Sequence, residues 1–76
     1  MTELELMKRF GSNLRDMLDY TNTTQKELSE DTYISESTIS RYIRGERMPT
    51  LRNVINIAHA LDCEFNELID TYEFID

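Results

Sequence analysis

Residues 24–49 constrain the fold of this chain more strongly than any other part of the sequence. Thr24 is followed three residues later by Glu27, the capping-box pattern that opens a helix. Ser35 is a favoured N-cap residue and Gly45 is a favoured helix stop, so a second short helix is predicted between them. This stretch is therefore expected to form two short helices joined by a tight turn.

The rest of the chain predicts three more helices, because its apolar residues recur at spacings of three and four. Those of the first helix are Leu4, Met7, Phe10, Leu14, Met17 and Leu18; those of the fourth are Leu51, Val54, Ile55, Ala58 and Leu61; those of the fifth are Phe65, Leu68, Ile69 and Tyr72. No segment alternates with a period of two. The predicted fold class is all-α, with five helices in a single domain over residues 1–76.

Composition narrows the class of protein. The chain has 76 residues with one cysteine, Cys63, and one histidine, His59, so neither an internal disulfide nor a structural zinc site is expected. No apolar run approaches the roughly 18 residues that a membrane span needs. No nucleophile, base or metal-ligand spacing suggests catalysis. We expect a cytoplasmic module without enzymatic activity, cofactor or metal.

The charge of the chain is unevenly distributed. The formal net charge is -7, but residues 41–52 carry four arginines against Glu46 alone, a local charge of +3. Residues 53–76 carry six carboxylates and no lysine or arginine. This asymmetry predicts a basic working edge and an acidic opposite side, although an ordinary solvated surface is the alternative.

The helix predicted after Ser35 has two different faces. With about 100° between successive residues, Glu36, Ser37, Ser40, Arg41 and Arg44 share one side. The opposite side carries Thr38, Ile39, Tyr42 and Ile43. We expect the apolar side to pack inward and the polar side to face outward. A surface helix without a partner would show the same pattern. The stronger indication is the order of the segments: a capped helix, a short turn, a helix with a polar face and then a basic loop.

In that context the chain resembles the phage-repressor-like helix-turn-helix family, the Cro/Xre type of bacterial and phage regulators. The matching pieces are T-Q-K-E-L-S, I-S-E-S-T-I-S-R-Y, R-G-E-R-M-P-T and N-I-A-H-A-L-D-C-E-F-N-E-L-I, within about residues 10–70. The resemblance implies a five-helix lambda-repressor-like DNA-binding domain, with helices two and three, about residues 24–44, as the helix-turn-helix. It also implies a sequence-specific DNA-binding transcriptional regulator, a repressor of bacterial or phage origin.

The resemblance also implies a set of DNA contacts. The candidate residues are Gln25, Lys26, Ser35, Glu36, Ser37, Ser40, Arg41, Arg44 and Arg47. Arg41 is the candidate for reading a guanine edge, and Glu36 could accept a hydrogen bond from a cytosine amino group. Gln25, Arg44 and Arg47 suit phosphate contacts. Gln25 and Glu36 also have a purely structural interpretation, as residues that stabilise the first turns of their helices.

The chain departs from the family pattern in three ways, of which the last involves a pair of residues. Tyr33 stands in the turn where many relatives have glycine, and a left-handed backbone there would cost roughly 1–2 kcal/mol. Asp62 replaces a common glycine after helix four. Leu18 and Ile43 stand where many relatives have a paired arginine and glutamate, and we expect them to touch.

The expected partners are double-stranded DNA, in its major groove, and a second copy of the chain. The tail, residues 70–76, contains Tyr72, Phe74 and Ile75, which could cover the first helix or lie in a dimer interface. The rival hypothesis is a protein-interaction module on the same fold, an antitoxin or an anti-repressor, that binds its protein partner through the acidic C-terminal side.

Overall fold

Residues 2–69 are described by the computed structural model and form five α-helices. These are α1 (Glu3–Thr21), α2 (Gln25–Thr32), α3 (Glu36–Ile43), α4 (Leu51–Ala60) and α5 (Phe65–Leu68). This part of the chain contains no strand, so the all-α prediction with five helices is confirmed. None of its helices is both long and apolar enough to span a bilayer. The tail, residues 70–76, lies outside the described residues.

The first four helices begin at hydroxyl caps. The side chains of Thr2, Thr24, Ser35 and Thr50 each accept a hydrogen bond from the backbone N–H three residues further on. In α2 the capping box is complete, because the Glu27 carboxylate also accepts from the Thr24 N–H at 3.1 Å. These caps satisfy N–H groups that a helix leaves unpaired, which matters most for α2 and α3, at eight residues each.

A residue with left-handed backbone lies at or just after the C-terminal end of four of the helices. Asn22, Tyr33 and Asp62 have φ values of 56°, 61° and 51°, and Gly45 has a φ of 70° just after α3. The backbone is therefore left-handed at both Tyr33 and Asp62, the two turn positions where many relatives have glycine. Asn and Asp adopt this conformation more readily than residues with large side chains. Of the three non-glycine residues, Tyr33 is therefore the most strained.

Every helix contributes to one core. Its buried members are Phe10, Leu14, Leu18, Leu28, Ile34, Ile39, Tyr42, Val54, Ile57, Ala58, Leu61 and Leu68. α1 packs against α3 and α5, while α2 packs against α3 and α4. α5 also packs against α4, and the Asn13 side-chain amide donates to the Leu68 carbonyl at 2.9 Å. Ile43 packs against this core, and its contact with Leu18 stays a prediction.

Not every residue of the apolar spacings is buried, and the fifth helix is shorter than its spacing predicts. Leu51 and Ile55 of α4 are 65% and 44% exposed, because α4 turns Val54 and Ile57 towards the core instead. The fifth helix ends at Leu68, one residue before the backbone becomes extended at Ile69. A three-and-four spacing identifies a helix, but it does not determine which of the apolar residues the neighbouring helices bury.

Candidate nucleic-acid interface

The backbones of α1 and α3 are in direct contact at Gly11. A Cβ atom on Gly11 would lie 2.3 Å from the carbonyl oxygen of Tyr42 and 2.6 Å from that of Ile43. Because real Cβ atoms do not approach oxygen so closely, only glycine permits this crossing. The last turn of α3 is thereby held against α1.

Tyr42 connects α3 with both α1 and α4. Its side chain is 2% exposed, and its ring meets the Phe10 ring edge-to-face with centroids 5.5 Å apart. The Asn53 side-chain amide donates a hydrogen bond to the Tyr42 hydroxyl at 2.8 Å. The buried phenol is thus satisfied, and α3 is fixed on two sides.

The turn before α3 is organised by a buried hydroxyl. Thr32 Oγ1 donates to the Leu28 carbonyl at 2.7 Å and accepts from the Ile34 N–H at 3.3 Å. Ile34 is buried, whereas the Tyr33 side chain between them points out and is 96% exposed. α2 and α3 are therefore joined by a short connection that is anchored in the core.

The exposed face of α3 is the polar face expected from the sequence. Glu36, Ser37 and Arg41 are exposed and Ser40 is half-buried, while Ile39 on the other side is completely buried. The contacts of Gly11, Tyr42 and Thr32 thus turn one line of hydrogen-bonding side chains outward. The arrangement can place donors and acceptors in the major groove.

Ser35 belongs to this surface but is already occupied by the cap. Its hydroxyl accepts from the Thr38 N–H at 3.1 Å and donates to Thr38 Oγ1 at 2.9 Å. A contact from Ser35 to DNA would therefore use the remaining acceptor capacity of its oxygen or its backbone.

The start of α2 presents a second group of candidate residues. Gln25 and Lys26 are exposed in its first turn, next to the capped end at Thr24. A helix N-terminus carries partial positive charge and attracts phosphate groups. The positions of Gln25 and Lys26 are compatible with contacts from both side chains to DNA phosphates.

The loop after α3 contains the basic edge. Arg44 Nε pairs with Glu46 Oε2 at 3.0 Å, and both side chains are more than half exposed. Such a pair contributes about 0–1 kcal/mol, so a phosphate can compete for Arg44. Arg41 and Arg47 are exposed and have no carboxylate partner within residues 2–69.

Lys8 of α1 was missed by the sequence reasoning. A Cβ on Gly45 would lie 2.9 Å from Lys8 Cγ and 3.1 Å from Lys8 Cα, so the first half of α1 lies against the loop. Lys8 is exposed and adds a cation beside the arginines. No local signal could have revealed it, because Lys8 and Gly45 are far apart in sequence.

The ionisable groups near α5 do not suggest chemistry. Burial, followed by the charges of Glu67, Asp62 and Glu64, raises the pKa of the Cys63 thiol above its ordinary value of 9.0. This thiol is therefore protonated, and weakly nucleophilic, at neutral pH. Within residues 2–69, histidine, cysteine and carboxylate side chains form no group of three that could hold a metal ion.

A protein-family model described as helix-turn-helix, HTH_3, matches residues 14–68. The chain belongs to this helix-turn-helix family. The resemblance to Cro/Xre-type regulators is thereby confirmed, with α2 and α3 as the helix-turn-helix.

Two curated relatives illustrate the range of proteins that contain similar sequence. One is the cryptic phage CTXphi transcriptional repressor RstR of Vibrio cholerae, 36% identical over 47 residues, which are 62% of this chain and 42% of the repressor. The other is a replication factor C small subunit of Methanocaldococcus jannaschii, 36% identical over 66 residues. That match includes 87% of this chain but only 4% of the length of the archaeal protein.

Two solved structures share the fold. The restriction-modification controller protein C.AhdI of Aeromonas hydrophila aligns with a TM-score of 0.79 and 30% identity, over 83% of this chain and 96% of C.AhdI. An HTH_3 family transcriptional regulator of Vibrio cholerae aligns with a TM-score of 0.84 over 88% of this chain and 38% of its own. Its 19% identity supports likeness of fold only.

Proposed function

We propose that this chain is a sequence-specific DNA-binding transcriptional regulator that acts in the cytoplasm as a repressor. The observation that carries this proposal is the exposed polar face of α3, held outward by the Gly11 crossing and the Tyr42 contacts. Membership of the helix-turn-helix family supports it, as does the likeness to a named transcriptional repressor.

In this proposal α3 lies in the major groove and supplies the base contacts. Arg41 donates two hydrogen bonds to a guanine, since its planar guanidinium matches the O6 and N7 acceptors. Glu36 accepts from a cytosine amino group, which offsets the repulsion between its carboxylate and nearby phosphates. Ser37 and Ser40 complete the reading face.

Phosphate contacts flank this face on two sides. Gln25 and Lys26 contact the backbone from the start of α2, and Arg44 and Arg47 contact it from the loop after α3. Lys8 joins the second group because α1 lies against that loop. Few phosphates are neutralised by so few cations, so the affinity should fall less steeply with salt than that of a strongly basic repressor.

We further propose that two copies bind one operator. Two recognition helices reach successive half-sites when they are about 34 Å apart, one turn of the duplex. Leu51 and Ile55 lie one turn apart on α4 and leave apolar surface uncovered within residues 2–69. This exposed strip, together with the tail of residues 70–76, is the proposed dimer interface.

The test is selection of binding sites from random duplex DNA with the purified chain, repeated with Arg41→Ala. We expect a defined site for the unchanged protein. The loss of Arg41 should cost about 1–3 kcal/mol of binding free energy and relax the preference at one base pair. Arg15→Ala is the control, because it removes the same charge from an exposed position of α1 outside the helix-turn-helix.

A second variant separates phosphate contacts from base contacts. Arg47→Ala should weaken binding to all sequences alike and lower the salt dependence by about one released counterion. If the unchanged protein enriches no sequence even at low salt, the proposal fails and the protein-interaction module becomes the better hypothesis.

A further inference from the structure

A cleft of 530 Å³ lies between the end of α2 and the outer side of α4. It is lined by Asp31, Thr32, Tyr33, Asn56, His59 and Ala60. None of the proposed DNA contacts belongs to this set. The cleft is therefore a surface separate from the proposed DNA interface, and a ligand could bind it whether or not the chain binds DNA.

Asp31 occupies an unfavourable place for a carboxylate. It lies in the last turn of α2, where the negative end of the helix dipole repels an anion. Asp31 is exposed and forms no ion pair within the described part of the chain.

Tyr33 is the second unfavourable residue at the cleft. Its φ of 61° suits glycine, asparagine or aspartate better than a residue with a large side chain. With 96% of the residue exposed, burial of the ring offsets none of this cost. Residues that break local rules without a compensating contact are candidates for a role outside the fold.

The two residues favour the same kind of ligand. A carboxylate, an aromatic face and the negative end of α2 all attract a cation, and the net charge of -7 increases that attraction. A guanidinium fits best, because it can pair with a carboxylate through two hydrogen bonds while it stacks on an aromatic ring. The side chains of Asn56 and His59 on α4 provide further polar contacts.

The exposed acids around the cleft indicate a larger partner than a small cation. Glu30, next to Asp31 on α2, is also exposed and extends the negative surface beyond the cleft. We propose that the cleft binds an arginine side chain presented by a basic segment of a protein partner. Asp31 pairs with the guanidinium, and Tyr33 stacks against it.

The test is a nuclear magnetic resonance titration of the ¹⁵N-labelled full chain with the peptide acetyl-Gly-Arg-Gly-amide. The amide signals of Asp31, Tyr33, Asn56 and His59 should shift in a saturable way. The same peptide with citrulline in place of arginine, which keeps the shape but lacks the charge, should leave them unchanged. Asp31→Asn and Tyr33→Gly should each weaken peptide binding, the former by about tenfold.

The end of α1 offers matched controls, since it also carries an acid and an exposed tyrosine. Asp19→Asn and Tyr20→Ala should leave peptide binding unchanged, because neither residue lines the cleft. Equal shifts with the citrulline peptide, or an Asp31→Asn variant that binds as well as the unchanged chain, would overturn the proposal. Shifts at these signals that grow with protein concentration alone would assign the cleft to a second copy and overturn it too.

Discussion

Gly11 and Tyr33 both lie at backbone positions that favour glycine, but for different physical reasons. At Gly11 the carbonyl oxygens of α3 lie so close that no side chain fits, although glycine lowers the stability of a helix interior. At Tyr33 the side chain is almost fully exposed, but the backbone favours glycine. In each case the conformation of neighbouring elements determines which residue is tolerated.

Gly11→Ala should destabilise the fold by about 1–3 kcal/mol. The gain in helix propensity, about 1 kcal/mol, is smaller than the cost of moving α3 away from a Cβ that would lie 2.3 Å from a carbonyl oxygen. Urea denaturation measures the change. Ser12→Ala, an exposed change in the same helix, is the control, and equal stability of the two variants would contradict the crossing.

Tyr33→Gly should stabilise the fold by roughly 0.5–1 kcal/mol. Relief of the left-handed strain exceeds the entropy that glycine adds to the unfolded chain. Thermal unfolding would show this as a higher Tm. Asn22→Gly provides the comparison, since asparagine already tolerates this backbone and little change is expected there. A lower Tm for Tyr33→Gly would mean that the ring has a stabilising contact.

At the scale of elements, α2 and α3 are too short to be stable alone. Helices under roughly 12–15 residues are marginal in water, so these two depend on their caps and on packing. The predicted caps were confirmed because capping is a contact between residues three apart, which a sequence displays directly. The orientation of α3 instead depends on Tyr42 and its distant partners, Phe10 and Asn53.

Tyr42→Phe should therefore loosen α3 from α4. The change removes the acceptor of the Asn53 amide and should cost about 1 kcal/mol, or more if that amide stays unpaired. Amide hydrogen exchange should become faster in α3 and early α4. Tyr20→Phe removes a hydroxyl from a tyrosine that is 87% exposed and should change neither measurement. Unchanged exchange in Tyr42→Phe would show that the ring packing alone positions α3.

At the scale of the whole molecule, the exposed strip of Leu51 and Ile55 on α4 can be tested as the proposed dimer interface. Ile55→Glu should dissociate the proposed dimer into monomers in sedimentation equilibrium without unfolding the chain, because Ile55 is 44% exposed. A charge in an apolar interface loses hydration without gaining a partner. Asn56→Glu adds the same charge at the next, exposed position and should leave the dimer intact. An unchanged molecular mass for Ile55→Glu would place the interface elsewhere.

The charge of the molecule also depends on its three-dimensional arrangement. The local excess of arginine after α3 was visible in the sequence, and its exposure agrees with the expected basic edge. The structure revises which residues form the basic edge. Arg44 pairs with Glu46, and Lys8 of α1 lies against the loop at Gly45. The basic edge is therefore built from two segments of the chain, and only one of them was predicted.

The amino-acid sequence alone determined the five helices, their caps and the polar face of α3. These features arise from interactions within about one helical turn, so the order of residues displays them. Only the tertiary structure decided that Leu51 and Ile55 lie outside the core, that Gly11 touches α3 and that the end of α2 and the outer side of α4 line a cleft. Those features depend on how helices distant in sequence pack together, and local spacing does not contain that information.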